Sequence, residues 1–419
     1  MYESALLDDA KQQVAALKKA DIVVGIPSYR NARTIPEVTR CVAQALVDLL
    51  PDRTVLLVDV DANSSDGTTN AFMRVRLPSG MLRFATGYHG LTGHGTQVRA
   101  IFEIAGLLRA QACLVLEATL TDLQPEDIRA MLSPVLEGRA HLVIPMHQWS
   151  YVDAAFEDFL LYPMLRLMYG QHVRRPLSGD WALSGRLAMA LAEQDVWETD
   201  AARSGLDVWM IATALASNVP MAKVRSCRKA STLVFGTTAY DQRFTHSTGT
   251  LLRHLASHQR LWRTAEPPGP PSAEDLPPPV LDCAQRPLEE FWQGFQQGMK
   301  TWRRLHRRIL DPEVLAALNQ MTRMKPEELT FPDSLWARIV LGFGVCFNKA
   351  ELDPDKVSAS LATPFFARSI ALWNQIDARG LECYEELVER QALAFENNRQ
   401  YLMDTWDSYV AWVPDAPVR

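Results

Sequence analysis

Apolar residues recur at helical spacing through residues 4–19, where Ala5, Leu6, Ala10, Val14 and Leu17 fall on one face. A continuous apolar run follows, Ile22-Val23-Val24-Gly25-Ile26-Pro27, and predicts a buried strand ended by proline. Residues 34–50 return to helical spacing, with Pro36 in the first turn, where a missing N–H is tolerated. A second apolar run, 54–61, ends on the acids Asp59 and Asp61; Asn63-Ser64-Ser65-Asp66-Gly67-Thr68 then predicts a turn, with a helix after it. Glycine-rich 89–95 precedes a helix over about 97–111, and further strands are predicted over 113–120 and 140–145. Residues 151–169 predict a long aromatic-rich helix kinked at Pro163, residues 176–181 a loop, and residues from 205 a further helix.

Continuous apolar strands that alternate with helices predict an α/β fold, a mostly parallel sheet covered by helices on both faces. In such sheets ligands bind beyond the carboxyl ends of the strands. Asp61, Asp66 and Glu117 fall there. Composition shifts near residue 265: two proline clusters, 267–271 and 277–279, predict an extended linker or arm over 265–280. Beyond it, 288–310, 335–349 and 365–403 predict helices, with a single turn at 326–329. The expected organisation is an N-terminal helix (1–20), an α/β domain (21–245) and an all-α C-terminal domain (246–419) that includes the arm.

At 419 residues the chain is long enough for two domains. A net charge of −6 argues against nucleic acid or anionic membrane as a partner. Six scattered cysteines without a C-x-x-C pair predict reduced thiols rather than disulfides or a zinc site. The start lacks a signal peptide's pattern, and no apolar run nears the ~20 residues needed to span a bilayer, so a cytoplasmic protein is expected.

The segment Val24-Gly25-Ile26-Pro27-Ser28-Tyr29-Arg30-Asn31-Ala32-Arg33-Thr34-Ile35, followed by Asp61-x-x-Ser64-Ser65-Asp66-Gly67-Thr68, resembles the nucleotide-binding opening of a GT-A glycosyltransferase. Pro176-Leu177-Ser178-Gly179-Asp180, Gly205-Leu206-Asp207-Val208-Trp209-Met210 and 331–340 narrow the likeness to the glucosylglycerate synthase and glucosyl-3-phosphoglycerate synthase family. The resemblance implies transfer of glucose from a nucleoside diphosphate sugar, UDP-glucose first among them, to a small hydroxy acid such as glycerate or phosphoglycerate, with retained anomeric configuration. It implies that Pro27, Tyr29 and Asp61 frame base and ribose, with Asp66 beside them. Asp180 would hold sugar or acceptor, and Asp207 would face the donor. Asp61 and Asp66 read equally as caps of the turn and the next helix.

Gly93-His94-Gly95 opens a helix, where backbone N–H groups can meet a phosphate; the same glycines can serve only a turn. The family pattern ends the third buried strand in Asp-x-Asp, which holds Mg or Mn. Here Glu117 and Thr119 stand in those places, and the third ligand position aligns near Ser231. His246 is the nearest replacement. Arg225, Arg228 and Lys229 crowd the same region and can neutralise a diphosphate without a metal, or be solvated side chains. Two functions follow: a hexosyltransferase with altered metal use, or a non-catalytic domain that binds nucleotide, sugar or an active relative. The aromatic-rich helical tail predicts a homodimer.

Overall fold

The computed structural model describes residues 3–228, 238–283 and 286–410. The chain separates into two compact units. The first takes Met1–Gln148, Pro176–Ala230 and Ser272–Pro279; the second takes Trp149–Arg175, Ser231–Pro271 and Val280–Arg419. The aromatic-rich segment after residue 148 therefore groups with the C-terminal helices, and the proline-rich stretch is shared out between the units.

The first unit is built on a seven-stranded sheet in the order β3-β2-β1-β4-β6-β5-β7. Its strands are β1 (Ile22–Ser28), β2 (Val55–Asp61), β3 (Leu82–Thr86), β4 (Ala112–Val115), β5 (Leu142–Gln148), β6 (Trp181–Ser184) and β7 (Met221–Arg228). All run parallel except β6, which is inserted antiparallel between β4 and β5. Every residue of β1 and β2 is buried, as expected of strands covered on both faces. The helices are α1 (Asp8–Leu17), α2 (Ile35–Leu49), α3 (Thr68–Met73), α4 (His94–Leu107) and α5 (Pro125–Leu136). The chain then leaves the unit through α6 (Tyr151–Phe156) and α7 (Tyr162–Tyr169), and returns to form α8 (Gly185–Ala192) and α9 (Leu206–Ala216).

The fold class is the expected one: a mostly parallel sheet among helices, then a helical region. Several elements differ in detail. β4 stops at Val115, short of the predicted 120, because the Glu117 N–H turns away from the ladder to Asp180 Oδ1 (2.7 Å). α4 begins three residues before the predicted start. β3, α5, β6, α8 and β7 add to the predicted elements; β3, β6 and β7 are short or mixed in polarity, whereas α5 does carry a helical period in Ile128, Met131, Leu132 and Val135. Ser272–Pro279 lies along β7: Asp275 pairs with Lys223, Gln148 Nε2 donates to the Pro279 carbonyl (2.9 Å), and Arg225 Nε donates to the Leu276 carbonyl (3.3 Å). This half of the predicted arm is a strap, not a free linker.

In the second unit, the predicted helix over 151–169 is interrupted ahead of Pro163 by a π-helical segment, Glu157–Leu161, and Pro163 falls in the first turn of α7. That wide turn brings Asp158, fully buried, to Arg174 Nε (2.9 Å) and the Tyr384 hydroxyl (3.1 Å). Burial opposes the charge of Asp158, but the Arg174 and Arg175 guanidiniums outweigh it and hold the carboxyl below its ordinary value. Arg166 is likewise buried against Glu396 (2.8 Å) and Glu389 (2.7 Å). No described helix is long and apolar enough to cross a membrane.

Candidate functional site

The carboxyl edge of the sheet carries two clusters. The first joins the ends of β1 and β2. Ser28 pairs with Asp61 in the ladder, and its hydroxyl lies 2.6 Å from Asp59 Oδ1 and 3.1 Å from Asp61 Oδ1. The Ser64 N–H donates to Asp61 Oδ2 (2.7 Å) and the Ser64 hydroxyl to Asp61 Oδ1 (2.6 Å). Asp61 thus caps its own turn. Each carboxylate oxygen has two lone pairs, so capping does not exhaust it as an acceptor. Gln97 on α4 fixes the two strand ends from the other face, donating to the carbonyls of Ser28 (2.9 Å) and Val60 (2.7 Å).

Two loops are tied together above these ends. The Arg30 N–H donates to Ser64 Oγ (2.8 Å), the Asn31 N–H to Thr68 Oγ1 (2.8 Å) and the Ala32 N–H to Asp66 Oδ2 (3.1 Å). Asp66 also accepts from the Thr68 N–H and hydroxyl; the hydroxyl bond holds its carboxyl below the ordinary range. Its observed role is loop fastening. Pro27 is buried in β1, whereas Tyr29 is 55% exposed with the Arg30 guanidinium 5.3 Å from its ring centroid. Burial drives the Asp59 carboxyl up to about 7; the Ser28 bond opposes this and the Asp61 charge adds to it.

The second cluster surrounds the turn after β4. Glu117 is half-buried, with Thr119 Oγ1 3.4 Å from its Oε2. Its carboxylate lies against Gly179, whose φ is +69°; a Cβ there would come within 2.1 Å of Glu117 Oε1. The Gly179 N–H donates to Asp207 Oδ1 (3.0 Å), in the first turn of α9, where the helix dipole favours a carboxylate. Asp180 has no exposed surface. Its Oδ1 accepts from the Glu117 N–H and its Oδ2 meets His147 Nε2 (2.9 Å), itself 1% exposed. Asp180 therefore supports the turn that presents Glu117 and Gly179. His147, at the end of β5, escaped the sequence reading; the only signal was a polar residue in an apolar strand.

Gly93, His94 and Gly95 do open α4, but that helix start is filled from within the chain. The Gly95 N–H donates to the Arg203 carbonyl (3.2 Å) and the Gly93 N–H to the Tyr88 hydroxyl (3.4 Å). A Cβ on Gly95 would lie 2.0 Å from the Ala201 carbonyl, so close packing of the 201–203 backbone requires glycine here. The His94 ring sits 6.1 Å from that of Trp181.

Arg225 is exposed on β7 and bonded to the strap. Arg228 ends β7 by its backbone pairing, while Lys229 and Ser231 lie outside the described residues. His246 belongs to the second unit. The donor set at the β4 turn is a single carboxylate, Glu117, with the Thr119 hydroxyl. Among the described residues no group of three His, Cys, Asp or Glu side chains could hold a metal. Mg and Mn favour several hard oxygen ligands in octahedral geometry. The described residues do not fit a metal held by the protein itself.

No known family profile matches the sequence, and neither does any curated protein. Solved structures do show similarity. Glucosyl-3-phosphoglycerate synthase from Mycobacterium tuberculosis, in complex with Mn2+, UDP and glucosyl-3-phosphoglycerate, is 16% identical with a TM-score of 0.43; the match covers 62% of this chain and 86% of that one. The same enzyme with Mn2+, UDP-glucose and phosphoglyceric acid gives 16% and 0.43, over 61% and 86%. Mannosyl-3-phosphoglycerate synthase from Rubrobacter xylanophilus gives 17% and 0.44, over 60% and 78%.

Proposed function

We propose that the first unit binds a nucleoside diphosphate sugar along the carboxyl edge of its sheet and transfers the hexose to a small hydroxy acid. The observation that carries this reading is the pairing at the β1 and β2 ends. An exposed aromatic ring, Tyr29, stands on a loop fastened to the turn of a carboxylate, Asp61, that keeps one acceptor site on Oδ2. A ring supplies a stacking face for a base, and a carboxylate at a strand end accepts an imide N–H. The sequence resemblance assigns the same roles to the same residues. Glu117 and Asp207 would orient sugar hydroxyls by charge-assisted bonds, with Asp180 and His147 beneath them. Arg228 and Lys229 are the cations proposed for the diphosphate.

In a retaining transfer the acceptor oxygen bonds to the anomeric carbon as the bond to the phosphate oxygen breaks. The hydroxyl proton passes to that departing oxygen, and no dedicated protein base is needed. Glucose as the sugar, glycerate or phosphoglycerate as the acceptor, and a homodimer complete the proposal.

Calorimetry with UDP and UDP-glucose, with and without Mg or Mn, tests it. Binding of both is expected, followed by glucosyl transfer to glycerate or phosphoglycerate. Failure of every uridine nucleotide to bind would end the reading. The lone Glu117 and the inward Asp180 favour a second reading, a domain that binds the nucleotide sugar without turnover. Binding with no transfer to either acceptor would select it. Sedimentation showing only monomer at micromolar concentration would remove the dimer.

A further inference from the structure

The oxygens around Asp61 can be counted against their protons. Three close contacts link four side chains in a row: Asp59 to Ser28 (2.6 Å), Ser28 to Asp61 (3.1 Å) and Asp61 to Ser64 (2.6 Å). Each contact needs one hydrogen between its oxygens. The two serine hydroxyls supply two. The Ser64 hydrogen serves the last contact, and the Ser28 hydrogen can serve only one of its two carboxylate neighbours.

The missing hydrogen has a natural place. Asp59 has no exposed surface, and its Oδ2 is buried without a hydrogen-bond partner. An ionised carboxylate left so is costly, whereas a neutral acid needs to donate only once. Among the described residues, no cation offsets the charge. On the face that Asp59 shares, α2 and α3 present Ile35, Val38, Val42 and Phe72, while Glu37, Arg40 and Asp48 of α2 are exposed. On the β3 side Asp59 faces Ala85, and the neighbouring Arg83 donates to the carbonyls of Phe72 and Val75. Among the described residues, the one charged group at hand is Asp61, of the same sign.

We infer that Asp59 is a proton-carrying positioning residue: as a neutral acid it donates to Ser28, which donates to Asp61, leaving Asp61 the lone anion of the row and aiming it at the nucleotide base. This rests on the nucleotide reading above. Its consequence is that nucleotide binding is linked to one proton that the nucleotide never touches. When Asp59 ionises, two carboxylates compete for the single Ser28 hydrogen and repel across it, and Asp61 loses its orientation. Burial places that ionisation near neutrality, at about 7.

The test is calorimetric titration of the full chain with UDP from about pH 6 to about pH 8, in buffers of different ionisation enthalpy. It is run on the parent protein and on Asp59→Asn, which keeps a donor and cannot ionise. Parent affinity is expected to fall relative to the variant by up to about tenfold per pH unit above the transition, with uptake of one proton on binding there and none below it. The variant carries the ionisation of UDP itself as a control. Infrared spectroscopy of the parent near pH 6 is expected to show a protonated carboxyl band that disappears as pH rises; this needs no variant. Binding with equal pH slopes in the two proteins, or absence of the band, would overturn the inference alone. Absence of UDP binding at every pH in both would overturn the nucleotide reading and this linkage together.

Discussion

The two clusters on the sheet edge are built differently. At the β1 and β2 ends, all the residues but Gln97 come from two short stretches, 27–34 and 59–68, and the polar contacts run mostly between neighbouring loops. At the β4 turn, Glu117, His147, Gly179, Asp180 and Asp207 come from four separate stretches, and the two that fix the geometry, Asp180 and His147, are interior. The first is a recognition surface made by local sequence. The second is a scaffold of buried polar bonds that presents one carboxylate. Damage to the first should therefore cost affinity, and damage to the second should cost stability.

Asp180→Ala gives the largest expected effect. It strands a buried imidazole and the Glu117 N–H, and should lower unfolding free energy by about 3 kcal/mol, measured by chemical denaturation. If stability is unchanged, the two clusters are not divided as described.

Next is the pH dependence of folding. Asp59 has an ordinary value of 3.8 unfolded and about 7 folded, so the native state holds the extra proton between these limits. Its contribution to stability is full below about 4, declines as pH rises and is gone above about 7. Denaturation midpoints across that window should show the decline in the parent and not in Asp59→Asn.

Tyr29→Ala, at an exposed ring, should leave Tm unchanged and weaken UDP about tenfold by calorimetry. Asp66→Ala is the smallest: with its loop bonds on the surface, Tm should fall by only about 2 °C in a thermal melt.

The same division decides what could be read from the sequence. β1 and β2 are unbroken apolar runs and announce themselves, and their turn residues follow at fixed offsets. β6 is four residues long and pairs antiparallel with strands far away in the chain, so Trp181–Ser184 reads as loop until its partners are in place. β7 mixes Lys223, Arg225 and Ser226 with apolar residues because the strap, not another strand, covers its border. Gly93 and Gly95 read as a phosphate cradle because glycine at a helix start suits either role; only the 201–203 backbone pressed against them shows which contact requires the small residue. Asp59 shows in the sequence only as an acid at the end of an apolar run; its role depends on how many hydrogens its neighbours can spare.

The strap along β7 bears on how copies of this protein meet in crowded solution. A bare terminal strand invites a second molecule to extend the ladder, and such extension is the first step toward fibrils. Pro277, Pro278 and Pro279 have no N–H to offer an incoming strand, and Asp275 and the Pro279 carbonyl are already engaged by Lys223 and Gln148. On that flank an approaching strand meets three successive residues with no N–H, which disfavours extension of the ladder.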